Sequence, residues 1–124
     1  MLTIILLVMG AGRIAIGLAP FVAPRVVAVA LGFPVGHDNP TARLMGRLFG
    51  ARDAGLGLLT FYAIAHPQLG PAIFLFNAAH DLADLTSAAI PLVRRQGIDR
   101  GALATMAFAG PAATAWIALW LFTR

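Results

Sequence analysis

The sequence predicts an all-α integral membrane protein: one domain, residues 1–124, built as a bundle of four transmembrane helices with a short interfacial helix between the first and second spans. Three observations predict it. The chain is 60% hydrophobic and only 11% charged, against about 25% charged in soluble domains, and its mean hydropathy is +0.85. Four separate stretches reach the roughly 20 mostly apolar residues that cross about 30 Å of hydrocarbon. Those stretches are apolar around most of their circumference, where a helix of a soluble bundle alternates an apolar face with a polar one.

The first span covers residues 2–22 and is closed by Pro20 and Pro24, which remove backbone donors and fix φ. Its apolar start resembles a secretory signal, with Gly17-Leu18-Ala19 as a small-residue cleavage site. No positive charge precedes the run, Arg13 interrupts it and Pro20 follows the scissile bond, so the segment is expected to stay as a span. Residues 24–32, too short to cross, are expected to lie in the interface. Gly32, Pro34, Gly36 and Pro40 then turn the chain back.

The second span covers residues 42–65 and ends at His66, Pro67 and Gly70. The third covers 71–93 with Pro91 near its end, and the fourth 101–122 with a kink expected at Pro111. Trp116 and Trp120 stand toward the outer end of the fourth span, where interfacial aromatic anchors belong.

There is no cysteine, which excludes disulfides, thiolate metal sites and cysteine nucleophiles. There is no lysine either, and the arginines are too scattered for a nucleic-acid stripe. They do set orientation. Arg25, Arg43 and Arg47 flank the first loop and Arg94, Arg95 and Arg100 the third, whereas the N-terminus and residues 65–71 carry none. Loops kept in the cytoplasm carry the excess of arginine. Both termini are therefore expected outside, with Arg124 alone against this, in a multi-pass protein of the inner (plasma) membrane.

The informative residues are the ionisable ones inside the spans. Each costs about 2.5 to 3.5 kcal/mol at mid-membrane, so such groups face the bundle interior and pair. At 1.5 Å per residue, Arg13, Asp53 and Asp84 fall at one level, roughly 10 to 14 Å inside the cytoplasmic boundary. On the third span Asn77, His80, Asp81, Asp84 and Ser87 form one polar stripe at i, i+3, i+4, i+7 and i+10. On the second, Gly46, Arg47, Gly50, Asp53, Ala54 and Gly57 gather on one side, while Arg52 points nearly opposite. Gly46, Gly50 and Ala54 make a small-residue ridge for close helix packing, with Gly57 continuing the face. Gly10, Arg13 and Gly17 share a face of the first span. These placements predict an internal cluster of Arg13, Asp53, His80, Asp81 and Asp84, with Asn77 in the same stripe and Arg47 at the cytoplasmic edge. Arg52 is expected to turn toward a partner or the headgroups.

Such a cluster fixes helix register, or it performs chemistry. Asp81 and Asp84 at i, i+3 could share a magnesium ion on a diphosphate, and membrane prenyltransferases carry a related Asn-Asp-x-x-Asp motif, but they are much longer and have a second acidic motif. Two carboxylates beside an arginine could open an epoxide or act otherwise on a lipid-soluble substrate by general acid/base catalysis. His80 beside Asp81 could relay protons in a small homodimeric exporter; the small multidrug exporters of this length, however, carry a glutamate in their first span, where this chain has Arg13. His37 and His66 read as solvated loop residues. No catalytic set, metal or cofactor is expected.

At Gly46-Arg47-Leu48-Phe49-Gly50-Ala51-Arg52-Asp53, Gly55-Leu56-Gly57 and Asp81-Leu82-Ala83-Asp84, and through the stretch from Gly17 to Gly32, the chain resembles a family of small four-span membrane proteins common in actinobacteria. The resemblance implies the fold and a high-GC source, and no particular activity. By analogy, such proteins ride as accessory subunits on larger envelope machines, including lipid-import transporters of the mammalian-cell-entry type. The expected function is therefore that of an accessory or regulatory subunit, with membrane lipids and a larger integral membrane protein as partners and no nucleic acid. The alternatives are a small membrane enzyme acting through buried Asp, Arg and His, or a homodimeric proton-coupled transporter.

Overall fold

The structure is a computed structural model that describes all residues from Met1 to Arg124. It is all-helical: α1 (Leu2–Val22), α2 (Pro24–Ala30), α3 (Pro40–Ala65), α4 (Gly70–Val93) and α5 (Asp99–Thr123), with short 3-10 turns at Val35–His37 and Pro67–Leu69.

Proline and capping residues explain the boundaries. Pro24 starts α2 at its first position, where a missing N–H is harmless. Asn39 caps α3, its Oδ1 accepting from the Ala42 amide at 2.9 Å, and Pro40 occupies the first helical position; the helix therefore begins two residues before the apolar run. Pro20, Pro91 and Pro111 lie inside α1, α4 and α5, the first two in last turns where the chain is about to leave the helix. Asp99 in the first turn of α5 complements the helix dipole.

Two of these helices, α1 and α5, are long and apolar enough to cross a membrane. Long as they are, α3 and α4 fall short of the same apolar measure. Arg43, Arg47, Arg52 and Asp53 punctuate the one, and Asn77, His80, Asp81 and Asp84 the other.

The bundle is assembled from two tightly packed pairs, α1 with α3 and α4 with α5; α3 and α4, though joined by a short turn, approach less closely. Glycine draws α1 and α3 together. A Cβ on Gly17 would stand 2.5 Å from the Gly50 carbonyl and from the Ala54 amide, and one on Gly57 would stand 2.7 Å from the Gly10 carbonyl. Gly46 belongs to a different contact, against Pro24 of α2. In the second pair buried alanines take that part: Ala78 and Ala88 on α4, and Ala102, Ala109 and Ala113 on α5.

Between the pairs the side chains are large. Leu6, Ala63, Ile73, Phe74, Ala78 and Trp116 form a core drawn from all four long helices, with Phe74 and Trp116 stacked at 6.0 Å between centroids. Trp116 is 1% exposed, which corrects its expected place as an interfacial anchor: it faces α4 and fills the wide seam. Trp120, half-buried, carries Arg124 over its ring at 4.8 Å.

Candidate functional site

Toward the end of the bundle where α3 and α5 begin, the same inter-pair seam becomes ionic. Arg13, on the Gly10/Gly17 face of α1, turns its guanidinium fork onto Asp81 of α4, with Nη1 to Oδ2 at 2.9 Å and Nη2 to Oδ1 at 2.8 Å. The same Nη2 donates to Asp53 Oδ1 of α3 at 3.1 Å. One arginine thus ties three helices, and all three side chains are buried. One step toward the helix ends, Arg52 of α3 forks onto Asp84 of α4 at 2.9 and 2.6 Å. Its Nη2 also lies 3.7 Å from Asp53 Oδ1. Bidentate pairs of this kind are charge-assisted and fix orientation as well as distance.

Sequence periodicity expected Arg52 to leave the cluster, and the structure corrects this. Successive residues differ by about 100° around a helix, and the arginine stem is long enough to recover that angle, resting over the Phe49 ring at 4.9 Å. Asp84 is likewise displaced from Asp81 by three residues, about 60° in azimuth and 4.5 Å along the axis. That displacement takes it to Arg52 and away from Arg13. An arginine next in sequence to a buried aspartate, facing a helix with Asp-x-x-Asp, was the signal for a second pair.

Three other expected members stand apart. His80 bonds its Nδ1 to the Phe76 carbonyl at 2.9 Å and packs edge-on against the Phe76 ring, joining no carboxylate. Asn77 is fully buried, but its Nδ2 donates to the Ile73 carbonyl of its own helix, and its Oδ1 accepts no bond from the protein. Arg47 is exposed and forms no ion pair. The buried Thr60 satisfies itself on Leu56 of the preceding turn.

Charge is unequal in this cluster. Two guanidiniums face three carboxylates, and each guanidinium is matched in both prongs, to Asp81 and to Asp84. Asp53 is the odd group: its Oδ1 is shared between both arginines, and its Oδ2 accepts no hydrogen bond. No three histidine or aspartate side chains are grouped here as metal ligands would be. Two surface hollows lie elsewhere: an apolar groove of about 310 Å³ between α3 and α4, lined by Leu59, Tyr62 and Phe76 among others, and one of about 320 Å³ by the α3–α4 turn. No charged residue lines either.

A separate, solvent-facing clamp holds the first loop. Asp38 takes both prongs of Arg43 at 2.8 and 2.6 Å and lies 3.3 Å from Arg25. The hydrogen bonds from Arg43, aided by the charges of Arg43 and Arg25, hold the Asp38 carboxyl below the usual aspartate range.

Comparison with family models, with curated proteins and with solved structures finds no match to this chain.

Proposed function

We propose that the chain is a multi-pass protein of the plasma (inner) membrane, with α1, α3, α4 and α5 all crossing, α2 in the interface and both termini outside, acting as an accessory or regulatory subunit of a larger membrane complex. One observation carries this reading: Arg13, Arg52, Asp81 and Asp84 turn inward and pair across the bundle, while every long helix exposes large apolar side chains. Ile4, Val8 and Leu18 on α1, Leu48 and Leu58 on α3, Phe76 and Ile90 on α4, and Phe108 and Phe122 on α5 are all exposed. Apolar surface on this scale is buried against lipid or protein, not water.

The matched guanidiniums favour an architectural role for the cluster. An arginine forked onto a carboxylate has little left to offer an anionic substrate, and the cluster lines neither of the two hollows described above. What the molecule presents is surface for docking, and α5, uncharged from Gly101 to Thr123, suits a partner helix. A lipid-handling envelope machine is the partner class that the resemblance to small actinobacterial four-span proteins favours.

Gentle detergent extraction followed by mass spectrometry tests the proposal. Stoichiometric recovery of a larger membrane protein is expected; recovery as a lone, stable homodimer would count against it. A second reading, a proton-coupled transporter, draws on one observation, the unmatched Asp53. It requires Asp53→Asn to abolish transport in vesicles while assembly stays intact.

A further inference from the structure

The formal charge of +4 is not spread over the molecule. The network of Arg13, Arg52, Asp53, Asp81 and Asp84 is one negative charge in excess, and Arg124 at the far end offsets it. The whole net charge therefore sits at the end where α1 and α4 finish and α3 and α5 begin, with six arginines against Asp38 and Asp99. Asp38 holds two of them, Arg25 and Arg43. The α4–α5 turn concentrates three more, Arg94, Arg95 and Arg100, all exposed and none in an ion pair.

Two features set this turn apart from a merely basic loop. Arg95 has φ of 50°, the left-handed region. It occupies the position just past the helix where the Gln96 amide returns to the Pro91 carbonyl at 3.0 Å and the Arg95 amide to Leu92 at 3.2 Å, a closure that glycine serves without strain. The chain keeps an arginine there at a conformational cost. In the helix turns that flank these arginines, Ile90, Val93 and Leu103 are 48%, 83% and 56% exposed, so the basic turn joins two exposed apolar helix ends. The start of α5 is held by the first loop, since Gly32 packs against Arg100 and the Phe33 ring lies on Gly101.

We propose that the α4–α5 turn is a binding site for anionic phospholipid, Arg94, Arg95 and Arg100 taking the phosphate and Ile90, Val93 and Leu103 the start of the acyl chains. Guanidinium matches phosphate oxygens two at a time, and three like charges in one turn repel one another until an anion sits among them. The site rests on the membrane-spanning reading and adds to it a lipid preference at one place.

The test uses the full chain in vesicles of equal phosphatidylglycerol and phosphatidylcholine, followed by mild extraction and quantification of co-purified lipid. Failure to co-float with the vesicles would sink the membrane reading itself; flotation without enrichment sinks only this site. A phosphatidylglycerol-to-phosphatidylcholine ratio on the order of a hundredfold above that of the vesicles is expected, three guanidiniums contributing about fivefold each. The triple variant Arg94→Gln, Arg95→Gln, Arg100→Gln should lose it, and Arg47→Gln should keep it. Arg95→Gly separates the site from general stability: enrichment should fall about fivefold while Tm rises, because the strain is relieved. Enrichment that survives the triple variant overturns the proposal. So does displacement of the lipid by inorganic phosphate at equal concentration, which would make the turn a soluble-anion site.

Discussion

The seam between α1 and α3 and the seam between the two helix pairs solve the same problem in opposite ways. In the first, Gly10, Gly17, Gly50 and Gly57 let backbones touch, so the contact consists of many short van der Waals distances with a single ion pair, Arg13 to Asp53, across it. In the second, the pairs stand off, and the gap is filled toward one end by Phe74 and Trp116 and nearer the helix middles by Arg13–Asp81 and Arg52–Asp84. On the membrane-spanning reading proposed above, lipid supplies no hydrophobic force to press helices together, since its tails are as apolar as leucine. Close approach and internal charge pairing are the two remedies. The first tolerates no added atom, and the second tolerates no missing charge.

The largest effect should come from breaking the second seam. Arg13→Leu leaves Asp81 and Asp53 buried without their shared cation, and a loss of about 3–5 kcal/mol is expected. Unfolding titration in mixed detergent micelles reads this; a loss below that of an exposed substitution such as Arg47→Gln would show the fork to be idle. Next comes the glycine seam. Gly50→Val drives a side chain into the Gly17 carbonyl and the Phe21 amide, costing about 1–3 kcal/mol or more. Its internal control is Gly55→Ala, where nothing lies within 4 Å of the new atom and helix propensity gains at most about 1 kcal/mol. Equal outcomes for the two would mean that α1 and α3 do not meet at these glycines.

Asp53→Asn sharpens the comparison from within the ionic seam. It removes the excess negative charge and keeps an oxygen for Arg13, so it should cost less than about 1 kcal/mol, whereas Asp81→Asn strips the fork and should cost several times more in the same titration. A reversed order would place the mismatch on Asp81. The smallest effect concerns the clamp on the first loop. The Asp38 carboxyl lies below the ordinary aspartate range, so its contribution is present at neutral pH and fades only as acid brings the solution down through that lowered value. Acid titration followed by the Asp38 carboxyl NMR signal should show the midpoint, and Arg43→Gln should return it toward the ordinary range.

Much of this architecture was legible beforehand. Proline and glycine at Pro24, Pro40, Pro67 and Gly70 punctuate the helices. Period-3.6 counting puts Asp81 on one inward stripe of α4, and Arg13 between Gly10 and Gly17 on α1. What periodicity supplies is an azimuth for a Cα, not the reach of a side chain. For that reason Arg52 was misplaced and His80, which bends back to its own Phe76 carbonyl, was wrongly included. Trp116 was misjudged on another ground, because its place near a helix end says nothing about which neighbour it faces.

By itself, then, the sequence determined the all-helical character, the positions of the breaks, the small-residue face of α3 and the concentration of arginine at one end, because each follows from local geometry and from composition along the chain. Only the tertiary structure decided that α1 lies on α3 and α4 on α5, that Arg13 selects Asp81 and Arg52 selects Asp84, and that Asp53 is left over. Those choices depend on the distances between helix axes, and these are fixed by residues far apart in the chain meeting in space: glycine against glycine in one seam, arginine against aspartate in the other.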